Sequence, residues 1–173
     1  MIKIPLFEKF FKKFKSENGS CEILKTKYNL FDLANVGGLI NSIQGNVKNF
    51  LSLGEAVRIA QPEIIFHLAA QPLVRHSYKD PLDTYETNVI GTLNLFEAAR
   101  SSSSVKVIVN VTTDKCYENR EWVWGYREID PMGGLDPYSS SKACSELLSA
   151  AYRASYFSDS SVERNNVALA TAR

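Results

Sequence analysis

The sequence predicts an α/β fold in which a parallel β-sheet is covered by helices. Segments of strand character alternate with segments of helical periodicity from about residue 39 onward. The strand segments are continuous apolar runs, which is typical of strands buried on both faces of a parallel sheet. With 173 residues, 45% of them hydrophobic and 23% charged, the chain has the composition of one globular domain.

The first predicted elements lie between residues 39 and 70. The segment LINSIQGNV (39–47) is a short strand candidate, and FLSLGEAVRIA (50–60) has helical periodicity that Pro62 ends. The run EIIFHLAA (63–70) has the length and apolar character of a buried strand. These segments form the first strand–helix–strand unit.

The clearest predicted helix starts after residue 80. Asp80 is suited to the N-cap, and Pro81 occupies the first helical position, where its missing N–H costs nothing. The expected apolar stripe of this helix consists of Leu82, Tyr85, Val89, Leu93 and Phe96.

The remaining elements place polar residues at one edge of the sheet. VKVIVNVTT (105–113) predicts a strand, residues 114–137 a long loop, residues 138–157 a helix and NVALATAR (166–173) a last strand. Ligands of parallel α/β sheets bind beyond the carboxyl ends of the strands. HLAAQ, TTDK and Tyr138 are all expected at that edge.

Tyr138 and Lys142 are the first candidate catalytic pair. Four residues along a helix bring two side chains to within about 6 Å on one face. An ammonium group there favours the phenolate and lowers the pKa of a tyrosine. With the Thr113 hydroxyl nearby, the pair is suited to abstract a proton from an alcohol beside a hydride acceptor. The alternative is a solvated lysine and a packing aromatic; the position of Thr113 at a strand end favours a site.

The bulk properties exclude several other classes of function. A net charge of +1 gives no general electrostatic case for nucleic-acid binding. Cys21, Cys116 and Cys144 lack metal-site spacing and cannot all pair, which indicates reduced thiols in the cytoplasm and no metal site. No apolar run approaches the roughly 18 residues that a membrane-spanning helix needs.

Residues 1–27 form an atypical basic and aromatic segment ahead of the domain predicted for residues 28–173. Its phenylalanines recur at helical spacing between lysines: Phe7, Phe10, Phe11 and Phe14. Such a segment is either an amphipathic helix on a membrane surface or a helix that packs on the domain or frays. Packing is the more common use of such stripes, so we expect no membrane contact.

Four segments carry a resemblance to a known family: HLAAQPLVRHSY, TNVIGT, VTTDKCYENREWVWGYREIDPMGGLDPYSSSK and ALATAR. They resemble the extended short-chain dehydrogenase/reductase family, and within it the CDP-glucose 4,6-dehydratases. The resemblance runs from about residue 28 to residue 173. It implies a Rossmann-like doubly wound parallel sheet with helices on both faces, the cofactor NAD and the substrate CDP-glucose.

The resemblance also implies a role for each candidate catalytic residue. Tyr138 takes the proton of the sugar 4-hydroxyl, while Lys142 holds the nicotinamide ribose and Thr113 supports both. Asp114 is the acid at the departing 6-hydroxyl. Lys115 stands where related dehydratases carry a glutamate and is assigned to the C5 proton. The implied product is CDP-4-keto-6-deoxyglucose, a precursor of deoxysugars in cell-surface polysaccharide such as lipopolysaccharide O-antigen. The implied enzyme is cytoplasmic. A homodimer is one open alternative for its assembly.

Further positions are assigned to ligand binding by the same resemblance. Asn46 stands where the family has an acid that contacts adenine. The adenosine half of NAD is assigned to the backbone of Leu68, Ala69 and Ala70.

Two polar side chains have open alternatives. Gln71 and Arg75 either face the sugar nucleotide or stabilise their loop. For Asn88, a tie between helix and sheet is favoured over substrate contact.

Two departures from the family set the expectation for activity. The chain has no G-x-x-G-x-x-G turn, whose amides hold the dinucleotide pyrophosphate at a helix N-terminus, so the N-terminal β-α unit is expected to be incomplete. It also ends at ALATAR, ahead of the family's remaining strands and its C-terminal substrate lobe. We therefore expect weak or no activity of this chain alone. The alternatives are an epimerase or reductase of the same fold, which TDK and the tryptophan-bearing loop disfavour, and a non-catalytic remnant or binding module.

Overall fold

The computed structural model describes residues 33–35, 39–41, 43, 45–157 and 167–173. A three-stranded parallel sheet runs through this part of the chain: β1 (Ile64–His67), β2 (Val107–Val111) and β3 (Ala168–Ala172). The strands lie side by side in the order β1-β2-β3. The predicted parallel α/β sheet is confirmed.

Helices occupy the stretches between the strands. Their bounds are α1 (Phe50–Ala60), α2 (Val74–Lys79), α3 (Pro81–Tyr85), a π-helical turn (Glu86–Ile90), α4 (Gly91–Arg100), a 3-10 turn (Asp114–Cys116) and α5 (Pro137–Ser155). The predicted start after residue 80 is confirmed, because the Asp80 side chain accepts a hydrogen bond from Asp83 N and Pro81 is the first helical residue.

One face of the sheet packs against the helices. Ile65, Ile108 and Leu169 lie side by side in neighbouring strands and point to this face. Ile108 is fully buried and belongs to a core cluster with Phe96 of α4, which is also fully buried. Phe66, on the opposite face, is 46% exposed in the described part of the chain.

The expected stripe on the helix after residue 80 is only partly buried. Leu82 is 68% exposed, whereas Thr84, Asn88 and Thr92 are buried. Leu82 and Thr84 are two residues apart and therefore lie on roughly opposite sides of α3, so the expected stripe starts on the exposed side. The π-helical turn then changes the period, because Gly91 N donates to Glu86 O, five residues back instead of four. The extra residue rotates the following turns, so a stripe drawn at constant helical spacing does not stay on one face.

The strand predicted for residues 39–47 is not found among its described residues, 39–41, 43 and 45–47. Asn46 instead forms a turn: its side-chain oxygen accepts from Lys48 N at 2.9 Å and its carbonyl oxygen from Asn49 N at 2.9 Å. These local bonds compete with strand pairing. The expectations for residues 1–27 lie outside the described residues. In the ranges given above, no helix has both the length and the apolar character to cross a membrane.

Candidate active site

The predicted catalytic segments meet at the carboxyl edge of the sheet. Strand β2 ends at Val111 and continues through Thr112 and Thr113 into the 3-10 turn. Helix α5 begins at the same edge and packs against that turn. The topology therefore brings the TTDK and YSSSK segments together, although they are more than 20 residues apart in the sequence.

The first turn of α5 is fixed by a capping box. The Asp136 carboxylate accepts from Tyr138 N at 3.0 Å and Ser139 N at 3.1 Å, and the Ser139 hydroxyl donates to Asp136 Oδ2 at 2.6 Å. Gly134 passes close to this turn: a Cβ added there would lie 2.6 Å from the carbonyl carbon of Ser139. The position of Tyr138 thus depends on a local cap and on a residue without a side chain.

Tyr138 and Lys142 are both buried on α5, with 9% and 7% of their surface exposed. Lys142 Nζ donates to the carbonyl oxygen of Val111 at 3.3 Å. Burial lowers the pKa of Lys142, and the Glu146 carboxylate partly opposes this effect. A solvated lysine, one of the alternatives from the sequence, is excluded by this burial.

The residues after β2 present an acid and an amine at the surface of the same edge. Thr113 donates to Asp114 Oδ1 at 3.0 Å, and Lys115 N donates to Thr113 Oγ1 at 3.4 Å. Asp114 and Lys115 are exposed. Both side chains are therefore accessible from solvent.

The sequence did not predict the buried carboxylate of Glu146, one helical turn after Lys142. Glu146 is 2% exposed, accepts from the Thr112 hydroxyl and forms an ion pair with Arg173, with 3.0 Å between Nη2 and Oε2. Burial raises the pKa of Glu146, but Arg173 and Thr112 outweigh burial and hold it below its usual range. One sequence feature could have indicated this role: Glu146 follows Lys142 by four residues, so the two lie on the same face of the predicted helix.

A buried histidine was missed as well. His67, at the end of β1, is 5% exposed, and its Nε2 lies 2.9 Å from Thr92 Oγ1. Because the Thr92 hydroxyl donates to Asn88 O at 2.7 Å, the hydrogen in the His67 bond belongs to Nε2. Burial, aided by the charge of Lys142, lowers the pKa of His67 to about 4. His67 is therefore neutral at physiological pH.

The residues assigned to the adenosine half of NAD follow β1 directly. Leu68 is 56% exposed, Ala69 is exposed and Ala70 is half-buried, which leaves an apolar surface beside the strand end. Asn46 lies in the turn before α1, with its side-chain oxygen already bonded to Lys48 N. Their contact with NAD stays a prediction.

Gln71 lies in a buried hydrogen-bond network. Its side-chain amide nitrogen donates to Thr84 Oγ1 at 2.9 Å, and its side-chain oxygen accepts from Leu73 N at 2.7 Å. Asn88 accepts from Gln71 N at 2.8 Å and donates to Ser141 Oγ at 2.8 Å. These bonds favour the loop-stabilising alternative for Gln71 and give Asn88 a tying role between helices. Arg75, on α2, is exposed, and its contact with substrate stays a prediction.

Comparison with known proteins places these features in one family. Residues 16–164 match the family described as GDP-mannose 4,6 dehydratase. A CDP-glucose 4,6-dehydratase from Salmonella typhimurium is 49% identical over 144 residues, which are 83% of this chain and 40% of that protein. The chain thus spans about two fifths of the length of this relative.

Solved structures agree with the fold. A dTDP-glucose 4,6-dehydratase from Streptomyces venezuelae, solved with NAD bound, superposes with a TM-score of 0.67 at 30% identity over 76% of this chain and 40% of that one. A UDP-glucose 4-epimerase from Brucella ovis superposes with a TM-score of 0.65 at 21% identity over 77% of this chain and 38% of that one, and shares the Rossmann-like fold. Because the family match covers most of the sequence, including both segments that meet at the sheet edge, the chain belongs to the GDP-mannose 4,6-dehydratase family.

Proposed function

We propose that this chain carries the proton-transfer site of an NAD-dependent sugar-nucleotide 4,6-dehydratase, a lyase that converts CDP-glucose to CDP-4-keto-6-deoxyglucose. The carrying observation is that α5, which holds buried Tyr138 and Lys142, packs at the sheet edge against the 3-10 turn that holds exposed Asp114 and Lys115. An alcohol oxidation needs only the first pair, whereas elimination of water needs a further acid and base. The 49% identity with a CDP-glucose 4,6-dehydratase supports the choice of sugar nucleotide.

The described residues fit one part of NAD better than another. The proposal assigns the nicotinamide ribose to the Lys142 ammonium, which donates to Val111 O at the carboxyl edge of the sheet, and the adenosine to the apolar surface at Leu68. The sequence holds no glycine-rich turn for the pyrophosphate. Each charge-assisted bond missing there is worth about 1.5–3 kcal/mol, so we expect this chain to bind NAD weakly. NAD, when bound, supplies the acceptor for the hydride of C4 and its later return to C6.

The residues of this chain act on the protons of the sugar. Tyr138 takes the proton of the 4-hydroxyl, and Lys142, one turn further along α5, is its proposed partner in that step. The Thr113 hydroxyl orients the substrate oxygen. Once C4 is a ketone, the C5 proton is acidic; Lys115 is the proposed base that removes it and returns it to C5 when the hydride reaches C6. Asp114 protonates the 6-hydroxyl, which leaves as water.

A deuterium-transfer experiment tests this function. The purified chain is incubated with added NAD and CDP-glucose that carries deuterium at C4. Because NAD binding is expected to be weak, we expect slow conversion that needs a high NAD concentration, to a 4-keto product that has lost water and carries the deuterium at C6. Tyr138→Phe removes the proton acceptor and should lower the rate about 100-fold or more. Tyr156→Phe, the same change at the C-terminal end of α5, is the matched control.

Three other outcomes overturn the proposal. Deuterium returned to C4 of an epimerised sugar identifies the epimerase alternative. A saturated reduced sugar made at the expense of added reduced cofactor identifies a reductase. No conversion over a range of NAD concentrations favours the non-catalytic alternative.

Assembly, location and pathway belong to the same proposal. A homodimer is supported by the exposed apolar side chains of Leu82 and Leu147, and sedimentation velocity of the purified chain tests it. The free thiols of Cys116 and Cys144 support a cytoplasmic location, which cell fractionation tests. Supply of deoxysugar to O-antigen is supported by the proposed product, and sugar analysis of a strain without this chain tests it.

A further inference from the structure

Glu146 connects α5 to two strands of the sheet. Its carboxylate accepts from Thr112, directly after β2, and from two residues at the end of β3, Thr171 and Arg173. The carboxylate is almost completely buried, and the Arg173 side chain is 19% exposed. Four residues earlier on the same helix, Lys142 binds the Val111 carbonyl. Helix α5 is thus tied to the end of β2 at two successive turns.

Arg173 divides its guanidinium between that helix and a loop. Nη2 bonds Glu146, while Nη1 donates to Tyr117 Oη at 2.6 Å and to Glu128 O at 3.2 Å. The guanidinium carbon also lies 5.2 Å from the centre of the Tyr117 ring. Tyr117 and Glu128 belong to the segment Tyr117–Asp130, here named the tryptophan loop. One side chain therefore joins helix, sheet and loop.

The contact with Tyr117 extends into the tryptophan loop. The Tyr117 ring stacks on Tyr126, with 5.3 Å between the ring centres and an angle of 10° between the planes. Trp122 in turn lies against Tyr126, with 5.6 Å between the ring centres. A change at Arg173 is thus expected to reach Trp122 through two ring contacts.

We propose that Glu146 and Arg173 are positioning residues, which hold the tryptophan loop and the turn before it against the helix that carries Tyr138 and Lys142. The loop starts directly after Asp114–Cys116, so the same contacts fix Asp114 and Lys115 relative to that helix. The catalytic part of this inference rests on the proposed function; the positioning part does not.

Tryptophan fluorescence gives a readout that is independent of activity. The sequence has two tryptophans, Trp122 and Trp124, and both lie in the loop. Arg173→Lys keeps a cation for Glu146 but cannot make the forked contact to Tyr117 and Glu128. Tyr117→Phe keeps the ring and removes the acceptor. Arg58→Lys, in an exposed Arg–Glu pair on α1, is the matched control.

We expect Arg173→Lys and Tyr117→Phe each to increase acrylamide quenching of the tryptophans and to weaken the near-ultraviolet circular dichroism of the ring stack. The double variant should go no further than the stronger single one, because both remove the same contact. Arg58→Lys should leave both signals unchanged. The urea midpoint of each variant is measured as well. It distinguishes a local change in the tryptophan loop from a general loss of stability.

Unchanged quenching and dichroism in Arg173→Lys would overturn the positioning role, and so would full additivity in the double variant. For the catalytic part, kcat with CDP-glucose should fall about 10- to 100-fold in both single variants, since small misplacements of reacting groups are costly. An unchanged kcat beside a loosened loop overturns that part alone. If the unmodified chain has no turnover, the proposed function fails while the fluorescence result still decides the positioning role.

Discussion

Burial of charged and titratable side chains is the main residue-scale feature of the site. Lys142, on α5, donates to the Val111 carbonyl, and its charge interacts with the Glu146 carboxylate and with His67. His67 is kept neutral because burial and the Lys142 charge both disfavour its protonated form. A second positive charge next to Lys142 is thereby avoided.

The neutral His67 predicts a loss of stability in mild acid. Its pKa is about 4 in the folded chain against 6.5 as the ordinary value, so below pH 6.5 the unfolded chain binds the proton more strongly. The stabilising contribution is complete above pH 6.5 and is lost as the pH falls toward 4. Between pH 7 and pH 5 the free energy of unfolding should fall by about 2 kcal/mol from this group.

Urea unfolding at several pH values measures this effect. His67→Gln removes the titrating group. Between pH 7 and pH 5 the free energy of unfolding of this variant should therefore fall by about 2 kcal/mol less than that of the unmodified chain. Equal pH dependence in the unmodified chain and in His67→Gln would contradict the assignment to His67.

At the scale of elements, the start of α5 determines where the tyrosine lies. Gly134→Ala places a methyl group 2.6 Å from the Ser139 carbonyl carbon, a backbone atom of the capping turn. We expect a loss of about 1–3 kcal/mol in the free energy of unfolding, because the cap must shift.

Gly125→Ala is the matched control, since a Cβ there meets nothing within 4 Å. Urea unfolding compares the two variants. A Gly134→Ala protein as stable as Gly125→Ala would show that the turn relaxes without cost.

Helix starts were predicted well because their causes are local. Asp80 followed by Pro81 marks an N-terminus within a few residues, and α1 has the predicted bounds of residues 50–60. The π-helical turn was not predicted, since a constant period contains no signal for one extra residue. Glu146 and Arg173 meet across 27 positions of sequence, and only the completed sheet brings them together. The contact depends on tertiary structure that spacing cannot supply.

For the whole molecule, stability depends on the core between α1, α4, α5 and the sheet. Phe96 is fully buried there, with its ring centre 5.2 Å from that of Tyr152. Phe96→Ala should lower the free energy of unfolding by about 3–5 kcal/mol. Leu82→Ala, on the stripe expected from the sequence but 68% exposed, should change it by less than about 0.5 kcal/mol.

Urea denaturation of both variants tests the position of the core. The two residues were equivalent in the sequence pattern, so the comparison separates the observed packing from the predicted stripe. Similar losses for Phe96→Ala and Leu82→Ala would contradict the observed burial of Phe96 and exposure of Leu82.

The π-helical turn also affects how the chain responds to changes in length. This turn contains one residue more than a regular α-helical turn, because Gly91 N bonds Glu86 O five residues back. Removing one residue between them gives the regular bond to the fourth residue back and leaves the turns before and after it on their faces, so Thr92 keeps His67 and Phe96 keeps the core. A deletion inside α4 instead turns everything after it by about 100°. The helix is therefore more tolerant of a change in length at the π-helical turn than in α4.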